Sequence, residues 1–179
     1  MTLDAAATTS SARDDANPAL TAALAITAIA AATLAGAWFF QLVLDILPCP
    51  LCLEQRYTYY AVVPLAALLA LAAARKAPRT LLVAGLAVIA LATLGNAGLA
   101  TYHAGVEWGL WQGPTDCTGP ILDLGTAGSL LQRLDTVKVV RCDEVQWKFL
   151  GLSLAGYDVL ISLAMAAIAA WGAVRASRR

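Results

Sequence analysis

The sequence predicts an all-α membrane protein: a bundle of four transmembrane helices with a short redox loop and a long extracytoplasmic loop on one side. Three observations predict it. Hydrophobic residues fill 60% of the 179 positions and charged residues 13%, against about 45–50% and about 25% in an ordinary soluble domain. A single core of this length cannot hide that surplus. The charges are also clustered, which leaves four apolar runs close to the roughly 20 residues that cross a bilayer. Twelve basic and twelve acidic residues cancel, so no overall field recruits a polyanion. Membrane lipid is an expected partner and nucleic acid is not.

Residues 1–17 are small and polar and are expected to form a disordered N-terminus. The first span, about 19–44, falls in the charge-free stretch Ala16 to Leu44. Asp4, Asp14 and Asp15 precede it with only Arg13, and the run is twice a normal signal-peptide core, so a retained helix is expected. The second span, about 57–74, is alanine-dominated, with Pro64 expected to kink it. The third covers about 80–102 and is followed by the sole histidine, His103. The fourth, about 155–174, contains Asp158 one turn inside its start, a depth that reads as a capping or interfacial role. The chain reads as a single membrane domain.

Arg75, Lys76 and Arg79 lie between spans two and three, and Arg175, Arg178 and Arg179 end the chain, in both places without an acid. The positive-inside rule makes these stretches and both termini cytoplasmic. Loops 45–56 and 103–148 then face the other side, which in a bacterial inner (cytoplasmic) membrane is the periplasm. Leu130, Leu131, Leu134 and Val137 recur at helical spacing in the long loop, with Arg133 and Lys138 between them. That pattern suggests a short amphipathic helix on the membrane surface.

Cys49, Cys52, Cys117 and Cys142 are the only cysteines, and all four fall in the two outer loops. Disulfides persist outside the cytosol and are rare within it. Cys49-Pro50-Leu51-Cys52 opens the second helix, where N–H groups and the macrodipole favour a thiolate. Arg56 follows Cys52 by one helical turn, and its permanent charge is expected to favour the Cys52 thiolate. Cys117 lies among Gly113-Pro114 and Thr118-Gly119-Pro120, a turn-rich stretch expected to be accessible. Two structural disulfides in a non-catalytic scaffold and a four-thiolate zinc site are the competing readings. The second half lacks zinc spacing and Arg56 opposes a cation, so no metal is expected. Four cysteines allow three pairings, which the sequence leaves open.

Trp38-Phe39-Phe40-Gln41, Pro48-Cys49-Pro50-Leu51-Cys52 with Arg56, and Cys142-Asp143-Glu144-Val145-Gln146-Trp147-Lys148-Phe149-Leu150-Gly151-Leu152 resemble the disulfide bond formation protein B (DsbB) family. The resemblance runs from about Trp38 to Leu163. It implies an inner-membrane thiol–quinone oxidoreductase that reoxidises a periplasmic DsbA-like, thioredoxin-fold oxidase and reduces ubiquinone or menaquinone. A relative dedicated to one specialised substrate is the alternative within that class. By position, Cys117 would be attacked by the partner's thiolate, and Cys142 would exchange with Cys49. Cys52 would face the quinone, with Arg56 stabilising its charge. A thioredoxin-like pair near about −270 mV taking electrons from a DsbA-like dithiol near about −120 mV faces a gap of roughly 150 mV, about 7 kcal/mol. A downstream sink such as quinone is one way to overcome it.

The chain's thirteen aromatics are lopsided. Tyr57, Tyr59, Tyr60, Tyr102, Trp108, Trp111, Trp147 and Tyr157 lie near the outer boundary, with Trp38, Phe39 and Phe40 just below it and only Trp171 toward the other end. A headgroup belt populates both faces, so the asymmetry hints at a ring-binding pocket. His103 is a candidate quinone-site residue, against a plain interfacial or capping role.

Overall fold

A computed structural model describes residues 17–118 and 140–178. The polar leader up to residue 16 and the expected amphipathic helix near Leu130 to Lys138 lie outside the described residues. Among the described residues there are four long helices, each long and apolar enough to cross a membrane: α1 (Pro18–Leu42), α2 (Pro50–Ala74), α3 (Arg79–Glu107) and α4 (Leu154–Ser177).

Local chemistry sets the helix ends. Asn17, expected in the disordered leader, is instead the cap of α1. Its Oδ1 accepts the N–H groups of Ala19 at 3.1 Å and Leu20 at 3.4 Å, and Pro18 occupies the first helical position. The Asn17 amide also donates to the Ala73 carbonyl at 3.2 Å, tying the start of α1 to the end of α2. Helix α2 starts at Pro50, ahead of the expected span at about 57, so Cys52 and Arg56 lie in its first two turns. It continues through Pro64 and closes with Lys76 at φ 58° while the Ala77 N–H reaches back to the Ala72 carbonyl at 3.0 Å. Helix α3 runs to Glu107, five residues past the expected span, and keeps His103 helical.

A short connection precedes α4. Strands β1 (Lys148–Phe149) and β2 (Leu152–Ser153) pair antiparallel across Leu150 (φ 48°) and Gly151 (φ 84°). Two central residues at positive φ make the tight turn whose twist suits a hairpin. Ser153 then caps α4, its Oγ accepting the Gly156 N–H at 3.2 Å.

The helices close a ring in which α1 packs on α2, α2 on α3, α3 on α4 and α4 on α1. The seam is made largely of small residues: Ala22, Ala23 and Ala30 of α1, Ala66, Ala70 and Ala73 of α2, and Ala169 of α4, around Ile26, Leu86, Ile89 and Met165. Larger side chains such as Leu68 and Leu91 point outward. Hydrocarbon tails solvate leucine as well as a core does, so close backbone approach through small residues holds such bundles together. A Cβ on Gly172 would lie 2.5 Å from the Ala22 Cβ, whereas one on Gly98 would meet nothing within 4 Å. Gly172→Leu is therefore expected to cost about 1–3 kcal/mol, read as a lower thermal midpoint in detergent, while Gly98→Ala leaves the midpoint unchanged or slightly higher.

Candidate functional site: two cysteine pairs beside an aromatic cavity

One end of the bundle gathers all four cysteines. Cys49 is the cap of α2: its backbone is extended, Pro50 fixes the first helical position, and its Sγ accepts the Cys52 N–H at 3.2 Å. Sequence reasoning gave Cys52 the Arg56 charge and the pair as a whole the helix-start stabilisation. The structure gives it to Cys49, because the capping side chain is the one that the free N–H groups reach. His103 arrives from α3 with Nε2 3.5 Å from the Cys49 sulfur, and Gln55 Nε2 lies 3.0 Å from Nδ1 on the other side of the ring. Gln55 thus donates to Nδ1, which leaves the ring proton on Nε2, aimed at the sulfur. Cys49 and Cys52 are both free thiols. A hydrogen bond from the Cys52 thiol is the main cause holding the Cys49 thiol down to about 5, against the opposing effect of burial, and His103 adds to it.

The other pair is joined. Cys117 and Cys142 form a disulfide with Cα atoms 5.3 Å apart. Cys117 sits in a single 3-10 turn, Thr115–Thr118, and is buried. This corrects the expectation of an accessible site. The loop is folded back on α3 by aromatic pins: Trp111 stacks on Tyr102, its Nε1 donates to the Tyr102 carbonyl at 2.8 Å, and the Tyr102 hydroxyl donates to the Gln112 carbonyl at 3.0 Å. Gly105 leaves room for the Trp111 ring, which a Cβ would strike. As a result Cys117 and Cys142 share one buried cluster with Cys49, Leu51 and Val106. Outside that cluster a pocket of about 160 Å³ leads to Cys117 between Gly113, Pro114, Arg141 and Asp143. Arg141 donates to both Asp143 oxygens, at 2.9 and 2.6 Å.

Cys52, which packs against the edge of that cluster, also lines a cavity of about 400 Å³. Phe40, Tyr59, Trp147, Phe149 and Tyr157 supply aromatic walls. Trp147 lies edge-on to Phe40 at 5.0 Å and stacks on Phe149 at 5.9 Å between centroids. Most of the lining is apolar, and Arg56, Gln55, His103 and Asp158 bring polar groups to it. That is the usual make-up of a small-molecule site. Tyr57 and Trp108, by contrast, are exposed.

Arg56 lines this cavity with its donors directed at α1: Nη1 to Gln41 Oε1 at 2.6 Å and Nη2 to the Ala37 carbonyl at 3.2 Å, beside the Trp38 ring. Asp158 does not cap α4, a role that Ser153 takes. It is buried, accepting from the Tyr59 hydroxyl and from Asn96 Nδ2 at 3.1 Å. Gln55, Tyr59, Asn96 and Glu107, whose carboxylate accepts from Ser153, are partners of this site that sequence reasoning did not assign. Helical spacing held a signal for some of them. Asn96 and His103 are two turns apart on one face of α3, as are Cys52 and Tyr59 on α2.

Donor atoms of Cys49, Cys52 and His103 lie within 4.8 Å of one another and could hold a thiophilic ion. A four-thiolate zinc site is contradicted, because Cys117 and Cys142 are bonded to each other. In the reduced protein one thiolate is expected at neutral pH and lost as the pH falls through about 5. Ultraviolet thiolate absorbance checks this: Cys49→Ser should abolish the acidic transition, and Cys52→Ala should move it upward by removing the main stabilising hydrogen bond.

A family model described as disulfide bond formation protein DsbB matches residues 19–172. A protein from Hahella chejuensis named disulfide bond formation protein B is 34% identical over 149 residues, covering 79% of this chain and 86% of the relative. One of the same name from Methylococcus capsulatus is 33% identical over 158 residues, covering 81% and 90%. No solved structure matches. With four apolar helices, two cysteine pairs at one end and this match over most of its length, the chain belongs to the DsbB family of disulfide-forming membrane oxidoreductases.

Proposed function

We propose that the protein reoxidises a periplasmic, DsbA-like thioredoxin-fold thiol oxidase and passes two electrons to membrane quinone, ubiquinone or menaquinone. In this reading the cysteine end faces the periplasm of a bacterial inner membrane, and the basic end, with both termini, faces the cytoplasm. One observation carries it: the disulfide Cys117–Cys142 and Cys49 share a buried cluster, while Cys52 opens into the aromatic cavity.

Thiol chemistry gives the order of events. The partner's thiolate enters the pocket beside Arg141 and attacks Cys117, so that a mixed disulfide forms and Cys142 leaves as thiolate. Cys142 then attacks Cys49 of an oxidised Cys49–Cys52 pair, and Cys52 leaves as thiolate. The partner's second thiol releases the partner in its oxidised form and frees Cys117. Cys117 attacks Cys142, which restores the loop disulfide and expels Cys49 as thiolate. Its hydrogen bonds to Cys52 and His103 make Cys49 a good leaving group. The result is the arrangement seen in the structure, Cys117–Cys142 joined and Cys49 and Cys52 reduced.

The cavity fits a flat ring with polar edges, having aromatic walls, Cys52 in its lining and Arg56, Gln55 and His103 as polar groups. Quinone bound there supplies a two-electron, two-proton sink. Arg56 holds a fixed positive charge against α1, where it favours anionic sulfur nearby. The His103 Nε2–H is within reach of the Cys49 sulfur, where it steadies the thiolate.

Detergent-purified protein mixed with a reduced thioredoxin-fold oxidase and short-chain ubiquinone is expected to oxidise the partner catalytically. Cys52→Ser and Cys117→Ser should each abolish turnover while the protein stays folded, and Cys142→Ser, whose Cys117 is left as a free thiol, should attack the disulfide of the oxidised partner and hold it as a mixed disulfide through Cys117. Turnover without quinone or linkage of the partner through Cys52 would overturn the assignment. Arg56→Gln should slow turnover by roughly 10-fold or more, a loss of about 1.4 kcal/mol, and leave trapping through Cys117 intact.

A further inference from the structure

The cavity has a second polar corner that the thiol steps do not use. Asp158 lies in α4, is only 8% exposed and lines the cavity with Cys52 and His103. Its two oxygens meet the Tyr59 hydroxyl and Asn96 Nδ2. Asn96 Nδ2 also lies 2.9 Å from Ser162 Oγ, and the Tyr59 hydroxyl lies 3.3 Å from the same Oγ. All of these partners are neutral. Among the described residues the ion pairs are those of Arg141 with Asp143 and Glu144, so Asp158 has no cation bonded to it. A carboxylate in an apolar span without a paired cation is costly and marks function more often than structure. Asparagine at this position would keep the size but lose the charge, the exchangeable proton and one of the two acceptor oxygens that Tyr59 and Asn96 use.

The network can hold either protonation state. With Asp158 ionised, Tyr59 and Asn96 both donate to it. With Asp158 protonated, its O–H can donate to the Tyr59 oxygen while Tyr59 donates to Ser162. The other titratable or charged groups lining the cavity are Cys52, Arg56 and Tyr59 from α2, His103 from α3 and Tyr157 from α4. Those of α1 that reach the cavity, Thr33 and Phe40 among them, are uncharged.

We propose that Asp158 is a proton store for the acceptor: it holds the proton given up by Cys49 and releases it, through Tyr59, to the acceptor's oxygen. This rests on the quinone reading above. Closing the Cys49–Cys52 disulfide makes one S–S bond and releases two electrons and two protons from the dithiol. A quinone takes both electrons and, at its two oxygens, both protons. In the reduced protein Cys49 is the thiolate and its proton rests on Asp158. On oxidation Asp158 gives up that proton, and the second comes from the Cys52 thiol.

The test is an infrared difference spectrum of the purified protein, dithiothreitol-reduced against oxidised, recorded without quinone. A carboxylic-acid C=O band present in the reduced form, absent from the oxidised form and missing in Asp158→Asn is expected. In Tyr59→Phe the band should shift, because its hydrogen-bond partner is gone. In a second arm the reduced protein is mixed with short-chain ubiquinone in a single turnover. At saturating quinone, Asp158→Asn should slow disulfide formation about 100-fold, while Cys117 still accepts the partner. No redox-linked carboxyl band in the wild type, or a band that survives in Asp158→Asn, overturns the proposal. So does wild-type single-turnover speed in Asp158→Asn. If Asp158→Asn does not fold, Tyr59→Phe decides: an unshifted band with wild-type speed overturns it. A wild type that shows the band but transfers nothing to ubiquinone instead contradicts the quinone reading and leaves proton storage linked to the thiol pair.

Discussion

Cys49 caps a helix with its sulfur buried, and the rest of the site depends on that placement. A capping residue must present its side chain to the free N–H groups of the first turn. The Cys49 sulfur therefore turns toward Cys52 N–H and toward His103, which α3 delivers from across the ring. Cys52, three residues later, stays beside Cys49 and borders the cavity. A spacing of two residues between the cysteines thus separates their roles in space. One sulfur meets the loop disulfide, and the other meets a space open to a small ligand.

The bundle makes this division durable. Helices that touch through alanine and glycine leave no slack, so the ends of α2 and α3 are held at fixed separation. Ring residues then close the cysteine end from both sides. Tyr102 and Trp111 fold the loop onto α3, bringing Cys117 and Cys142 to Cys49, and Trp147 with Phe40 and Phe149 roofs the cavity. A low-dielectric site strengthens each charge–dipole contact inside it. It also makes the fate of protons a structural question, which the hydrogen-bonded corner of Asp158, Tyr59, Asn96 and Ser162 addresses.

Much of this was legible in the sequence. The four helices follow from runs without charge, because hydrocarbon excludes ions more strictly than a protein core does. Their ends were less legible. Hydropathy reports where lipid ends, and α2 and α3 continue beyond it: Cys52, Arg56, His103 and Glu107 interrupt an apolar run without interrupting a helix. The cysteines, Arg56 and His103 stood out as reactive types near predicted boundaries. Gln55 and Asn96 did not, because uncharged amides leave a charge-free run intact. Asp158 was visible, but its direction depended on Ser153 capping α4, a detail set by the hairpin at Leu150 and Gly151. The turn-rich stretch before Cys117 was correctly a loop. Its burial came from contacts with α3 that no local pattern encodes.

The central claim is that electrons cross between the pairs through Cys49 and Cys142, because those sulfurs lie within one buried cluster while Cys52 lies at its edge and lines the cavity. Mass-spectrometric disulfide mapping of two matched variants tests it most directly. Cys52→Ser with Cys117→Ser leaves Cys49 and Cys142, and Cys49→Ser with Cys117→Ser leaves Cys52 and Cys142. Under mild oxidation the first should close the Cys49–Cys142 bond readily, and the second should stay largely reduced. Equal closure in both, or closure only through Cys52, would contradict the account.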